Sequence, residues 1–197
     1  MDSNQYNRMR YNRKKQWFRF CLGLMQFREM PILNLMWFIV IIVARYAYKG
    51  KNILVLLFDM PLISMKILDT CLSIGIVIFV ISIVVVMMQE IGELVAREDE
   101  AKISLAFENK DFKCGEPILI YKKEIKKKRI TIREFYTTIP MKRWQEEKEA
   151  ICERMNAHLI KSIKYGGKDN NNGNYIVIES AEGRKPTERG VLYDDTF

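Results

Sequence analysis

The sequence predicts an α+β protein: two membrane-spanning helices followed by a small cytoplasmic domain with a β-β-α-β order. Three observations lead there. Apolar residues concentrate between Met30 and Met88. The last hundred residues are polar and charged, and they change from helical periodicity to alternation and back. A run of 19 uncharged residues, from Thr70 to Met88, is long enough to cross a bilayer core of about 30 Å at about 1.5 Å per residue.

The amino-terminal 30 residues form a basic, aromatic-rich segment. Residues 1–31 hold seven Lys/Arg against two Asp/Glu. Arg and Lys alternate there with Trp17, Phe18, Phe20, Leu22, Leu24 and Phe27. Two forms fit that pattern: an interfacial helix on anionic lipid, or a helical run leading into the first span. The first span is expected near Pro31–Tyr48, with Arg45 reaching back to the headgroups and Tyr46 and Tyr48 at the interface. A cleaved signal peptide fits less well, because the apolar core begins late and no small-residue cleavage site follows.

Between the spans, KGKNILVLLFDMPLISMK is broken by Asp59 and Pro61, so it reads as interfacial or partly re-entrant rather than as a third span. Asp59 and Asp69 are either intramembrane acids or headgroup-level residues near Lys66. Seven amino-terminal cations against four between Arg45 and Lys66 place both termini in the cytoplasm of a two-span cell-membrane protein. The expected boundaries are 1–30 basic segment, 31–89 anchor, 90–112 helical stalk and 113–197 α+β domain.

In the polar half, PILIYKKEI and ITIREFYTTIP read as two strands of a hairpin. The cluster KKEIKKKR lies around its turn and contains Lys122, Lys123, Lys126, Lys127, Lys128 and Arg129. It is the candidate DNA or lipid-headgroup contact, against the plainer reading of a solvated tip that discourages edge pairing. Pro140 starts a helix whose apolar stripe is Trp144, Ile151, Met155, Leu159 and Ile163. Trp144 is a core residue or a partner anchor. Gly166-Gly167 is expected to end that helix. NYIVIES is a third strand and GVLYDD a short fourth.

Catalytic chemistry is hard to place. None of the ten glycines fits a phosphate-binding loop, and no metal-ligand spacing appears. The single histidine, His158, has no convincing nucleophile near it and reads as solvated or capping. Cys21, Cys71, Cys114 and Cys152 are too irregularly spaced for a disulfide scaffold or zinc site and read as free thiols in a reducing compartment. No catalytic, cofactor-binding or metal residue is assigned.

The run FYTTIPMKRWQEEKEAICERMNAHLIKSI resembles the segment before the motor in FtsK/SpoIIIE-type DNA translocases, including the coupling ATPases of Gram-positive conjugative elements. The residues that carry the resemblance are Phe135, Tyr136, Ile139, Pro140, Trp144, Glu149, Asn156, Leu159 and Ile160. The ending LYDDTF is similar as well, and the resemblance spans about residues 70–197. The ATPase core of that family has no counterpart in these residues. The resemblance implies a membrane-anchoring and assembly region that tethers a DNA-pumping motor. It implies homo-oligomers, contact with membrane lipid and DNA, work alongside conjugation or division machinery, and ATP with Mg2+ only where a motor domain follows. The alternatives are a stand-alone two-span adaptor that docks another protein, and an enzyme of unrecognised type.

Overall fold

A computed structural model describes residues 3–57, 61–112, 115–125 and 129–183. The chain divides into two compact units, Met1–Arg97 and Glu98–Phe197.

The first unit is helical. Helix α1 covers Ser3–Glu29, α2 covers Met36–Leu57, and α3 begins at Leu62 and continues to Ser104. Met30 is extended (φ −124°, ψ 91°) and Pro31 opens a short 3-10 turn, Pro31–Leu35. Pro31 lacks an N–H and disfavours a helical residue before it, so α1 does not run unbroken into α2. Among the described residues, two helices are long and apolar enough to cross a membrane, within Pro31–Val55 and Ile63–Ser104. The segment between the expected spans is mostly helical: α2 carries it to Leu57. Asp59 lies outside the described residues.

Two polar contacts and two glycines pack these helices. Arg19 on α1, 3% exposed, donates from Nε to Glu93 on α3 at 2.6 Å. A Cβ on Gly23 would lie 1.9 Å from the Met88 carbonyl oxygen, and one on Gly92 would lie 2.0 Å from that of Arg19. Numbers fall along α3 as they rise along α1, so the two helices run antiparallel with their backbones touching, which only glycine permits there. Leu22 and Gln26 complete the buried α1 face at helical spacing. Nearer the start of α3, Lys51 of α2 bonds Asp69 at 2.7 Å and Ser73 Oγ at 3.1 Å, with its ammonium over the Tyr48 ring. Asp69 is therefore an ion-pair partner, and its cation is Lys51 rather than Lys66.

The second unit contains the last turns of α3 and an antiparallel sheet. The strands are β1 (Ile118–Ile125), β2 (Ile130–Tyr136), β3 (Ala157–Leu159), β4 (Lys164–Gly166) and β5 (Asn172–Glu182). Among the described residues the order is β1-β2-β5-β3, and β4 pairs the same edge of β5 as β3. The β1–β2 hairpin and the central strand through NYIVIES form as the alternation predicts. The fold is α+β. GVLYDD lies outside the described residues.

The single long helix after Pro140 does not form. Two short helices replace it, α4 (Met141–Glu146) and α5 (Lys148–Met155), separated at Glu147. Asn156 takes the left-handed conformation (φ 48°, ψ 48°), and its N–H caps the Cys152 and Glu153 carbonyls. The chain then enters β3, so Leu159 is a strand residue and Ile163 a buried loop residue. Gly166 and Gly167 serve the approach to β5. The Glu134 carboxylate lies 2.3 Å from where a Gly166 Cβ would stand, and Gly167 has φ +83°. Glu134 Oε1 accepts the Gly167 N–H at 2.7 Å. That acceptor is distant in sequence, so no local pattern announces it.

Candidate functional site

The basic hairpin is the candidate site, and its strand geometry sorts its cations. Side chains alternate across a strand. Lys122 lies opposite Arg133, and Lys123 opposite Ile132 on the other face. Lys122 and Arg133 converge on Asp99, in the last turns of α3, at 2.9 and 3.1 Å. Asp99 is 3% exposed. Arg133 also donates from Nη1 to Ser180 Oγ at 2.9 Å. Next to Asp99, Glu100 accepts the Leu119 N–H at 2.6 Å and holds the start of β1.

Lys122 is thus committed to an internal ion cluster, with its side chain 20% exposed. Lys123 and Arg129 are exposed. Arg129 has φ +50°, a turn conformation that a non-glycine residue adopts at some cost. Lys126, Lys127 and Lys128 lie outside the described residues. Beside the turn end of the hairpin is a cavity of about 460 Å3, whose lining includes Lys102, Arg129 and Arg133 together with Glu124 and Glu182. Its mixed charge does not make a simple anion cup.

Trp144 is fully buried. Its ring meets Phe107 edge-on at 4.8 Å between centroids and lies 5.9 Å from Phe135. Its Nε1 is buried with no hydrogen-bond acceptor among the described residues. The geometry is that of a packing residue. His158, in β3, bonds the Gly183 carbonyl through Nδ1 at 2.7 Å and closes the end of β5. Burial pushes the Cys152 thiol up, away from thiolate reactivity. Among the described residues, no group of three His, Cys, Asp or Glu is placed to hold a metal.

Sequence reasoning missed the Asp99 cluster, because Asp99 sits in a charged helical stretch that looks solvated. It missed a surface clamp too. Arg143 at the start of α4 reaches Asp111 at 3.0 Å, Glu146 at 2.9 Å and Glu147 at 3.1 Å. The Arg143 guanidinium lowers the Asp111 carboxyl below its usual range, and the same partners raise Arg143. A depressed folded-state pKa contributes stability above the unfolded value, near 4, and loses it as pH falls further. Asp111→Asn is therefore expected to flatten the loss of stability below about pH 4, read from urea midpoints at stepped pH. An unchanged acid slope overturns that assignment.

Fold and site together define a class of protein: a helical region with two helices long enough to cross a bilayer, joined to a small α+β unit with a basic hairpin. The chain is similar to a solved protein, the pCW3 conjugation coupling protein TcpA, determined as a monomer with ATPγS. The similarity is 28% identity with a TM-score of 0.37, over 45% of this chain and 25% of that one. The chain thus matches about a quarter of the length of that protein. No protein-family profile matches the chain, and no curated protein matches it.

Proposed function

We propose that this chain is the membrane-anchoring and assembly region of an FtsK/SpoIIIE-like DNA translocase or conjugation coupling protein, with both termini on the cytoplasmic side. The observation that carries the proposal is the residue pattern from Phe135 to Ile160. Its apolar anchors Phe135, Ile139 and Trp144 are all buried, at 0–1% exposure. The two apolar helices supply a tether, and the cation excess of residues 1–31 supports the orientation. Under this proposal, ATP and Mg2+ belong to a motor domain elsewhere in a longer polypeptide, since these residues contain no phosphate-binding loop. The chain's own work is to hold the motor at the membrane, bring copies together and present the hairpin to DNA.

Among the described hairpin cations, Lys122 holds the fold, while Lys123 and Arg129 are exposed. Changing Lys126, Lys127, Lys128 and Arg129 together to Gln in the full chain is expected to weaken DNA binding. The salt dependence should flatten too, by up to about 0.9 in log–log slope for each duplex phosphate no longer neutralised. Lys122→Gln is expected to lower stability and leave that slope alone. Fluorescence anisotropy across a salt series reads both. Equal slopes for native chain and quadruple variant sink the DNA assignment. A stable protein complex unaffected by DNA would favour the adaptor.

A further inference from the structure

The contacts of Lys51 set the register of α2 against α3. They place its ammonium beside the turn from Asp69 to Ser73. Arg45 precedes Lys51 by six residues, about 9 Å along the axis. The helices are joined by a short link and run in opposite directions, so Arg45 stands at the level of residues 75–79 of α3. That level is the middle of the run Thr70–Met88. Arg45 is exposed, and so is Lys49 one turn away on the same face. Neither has a hydrogen-bond or ion-pair partner among the described residues. Tyr46 and Tyr48 are exposed beside them, at 69% and 56%.

A cation at hydrocarbon depth, with a second one turn nearer the edge of the apolar run, needs a counter-charge or water. A second copy of the chain is poorly equipped to supply one. Between Met30 and Gln89 the only acids are Asp59 and Asp69, and Asp69 already pairs with Lys51. Phospholipid supplies a phosphate in every molecule. Guanidinium binds phosphate through paired N–H donors, an ammonium adds a point charge, and tyrosines settle at headgroup level.

We propose that Arg45 and Lys49 form a phospholipid-phosphate site that draws the headgroups of the leaflet distant from the amino terminus inward to the level of Val77. The bilayer is thinned around the helix pair, so part of the α3 apolar run stands at headgroup depth. Thinning is an ordinary response to a short apolar stretch, and the first span offers only Met30–Ala44 before its first cation. The proposal rests on the reading that α2 and α3 cross a membrane.

The test uses the full chain with its cysteines changed to serine, reconstituted in phosphatidylcholine vesicles. Single nitroxides are placed at Val77→Cys or Val86→Cys, both exposed positions on α3. Depth is read from relaxation by oxygen and by a water-soluble nickel chelate. Val77 is expected at headgroup depth and Val86 in hydrocarbon. With Arg45→Leu and Lys49→Leu together, the Val77 label should sink by one to two helical turns, roughly 5–10 Å. Arg45→Lys should largely preserve its position, and added inorganic phosphate should not move it. A deep Val77 label in the otherwise native chain overturns the proposal. If that label also shows spin–spin broadening between copies, self-association covers Arg45 instead. A displacement by inorganic phosphate assigns the site to free anion and overturns the lipid. If the Val86 label is aqueous, the membrane-spanning reading has failed, a result distinct from failure of the phosphate site.

Discussion

Replacing Trp144 with alanine is expected to destabilise the second unit by about 3–5 kcal/mol, the usual range for truncating a buried aromatic. Trp144 has no exposed surface and touches the rings of Phe135, on β2, and of Phe107, 37 residues away. The short helix α4 offers only six residues, too few to be stable alone, so packing of this indole is what keeps it folded. Trp144→Phe should cost much less. It keeps an aromatic ring and removes a buried N–H that lacks an acceptor. Hydrogen exchange along β2 and β5, with urea midpoints, measures both variants. If Trp144→Ala left exchange unchanged but abolished capture of a protein partner, the residue would be a docking anchor and the packing assignment would be wrong.

Asp99→Ala is expected to cost about 3–5 kcal/mol, because it removes the shared counter-charge of two largely buried cations and leaves Lys122 only Glu124 at 4.0 Å. Lys122 and Arg133 meet at Asp99 and nowhere else in common. The effect should be strongly non-additive. Changing Asp99 to Leu with Lys122 and Arg133 to Met is expected to restore most of the stability, since an apolar set of similar volume need not desolvate charge. Urea denaturation in detergent, followed by exchange at β1 and β2, separates the two. A loss below about 1 kcal/mol for Asp99→Ala, the level of an exposed ion pair, overturns the cluster's role. The same result decides how the basic hairpin is interpreted, because Lys122 then becomes available to DNA or lipid.

Most of the architecture was legible because its signals are local. Thr70–Met88 announces a long apolar helix by length alone, and the alternation in Ile118–Ile125 and Ile130–Tyr136 announces a hairpin. The single helix expected after Pro140 breaks for an equally physical reason. Leu159 and Ile163 continue a helical spacing, but Asn156 turns left-handed and the β5 edge captures the next residues as strand. Periodicity cannot register that a free sheet edge competes for the same segment.

The site divides the same way. Composition by itself determined that the hairpin is cationic, that the amino-terminal segment is basic, and that two stretches are apolar enough to span a bilayer. These are sums over neighbouring residues. Only the tertiary structure decided which cations are already spent. Lys122 turns to Asp99 while Lys123 faces outward, and Lys51 is taken by Asp69 while Arg45 is left exposed. An ion pair depends on which faces of distant elements meet, and burial strengthens it by removing water; neither is a property of a residue's neighbours in the chain.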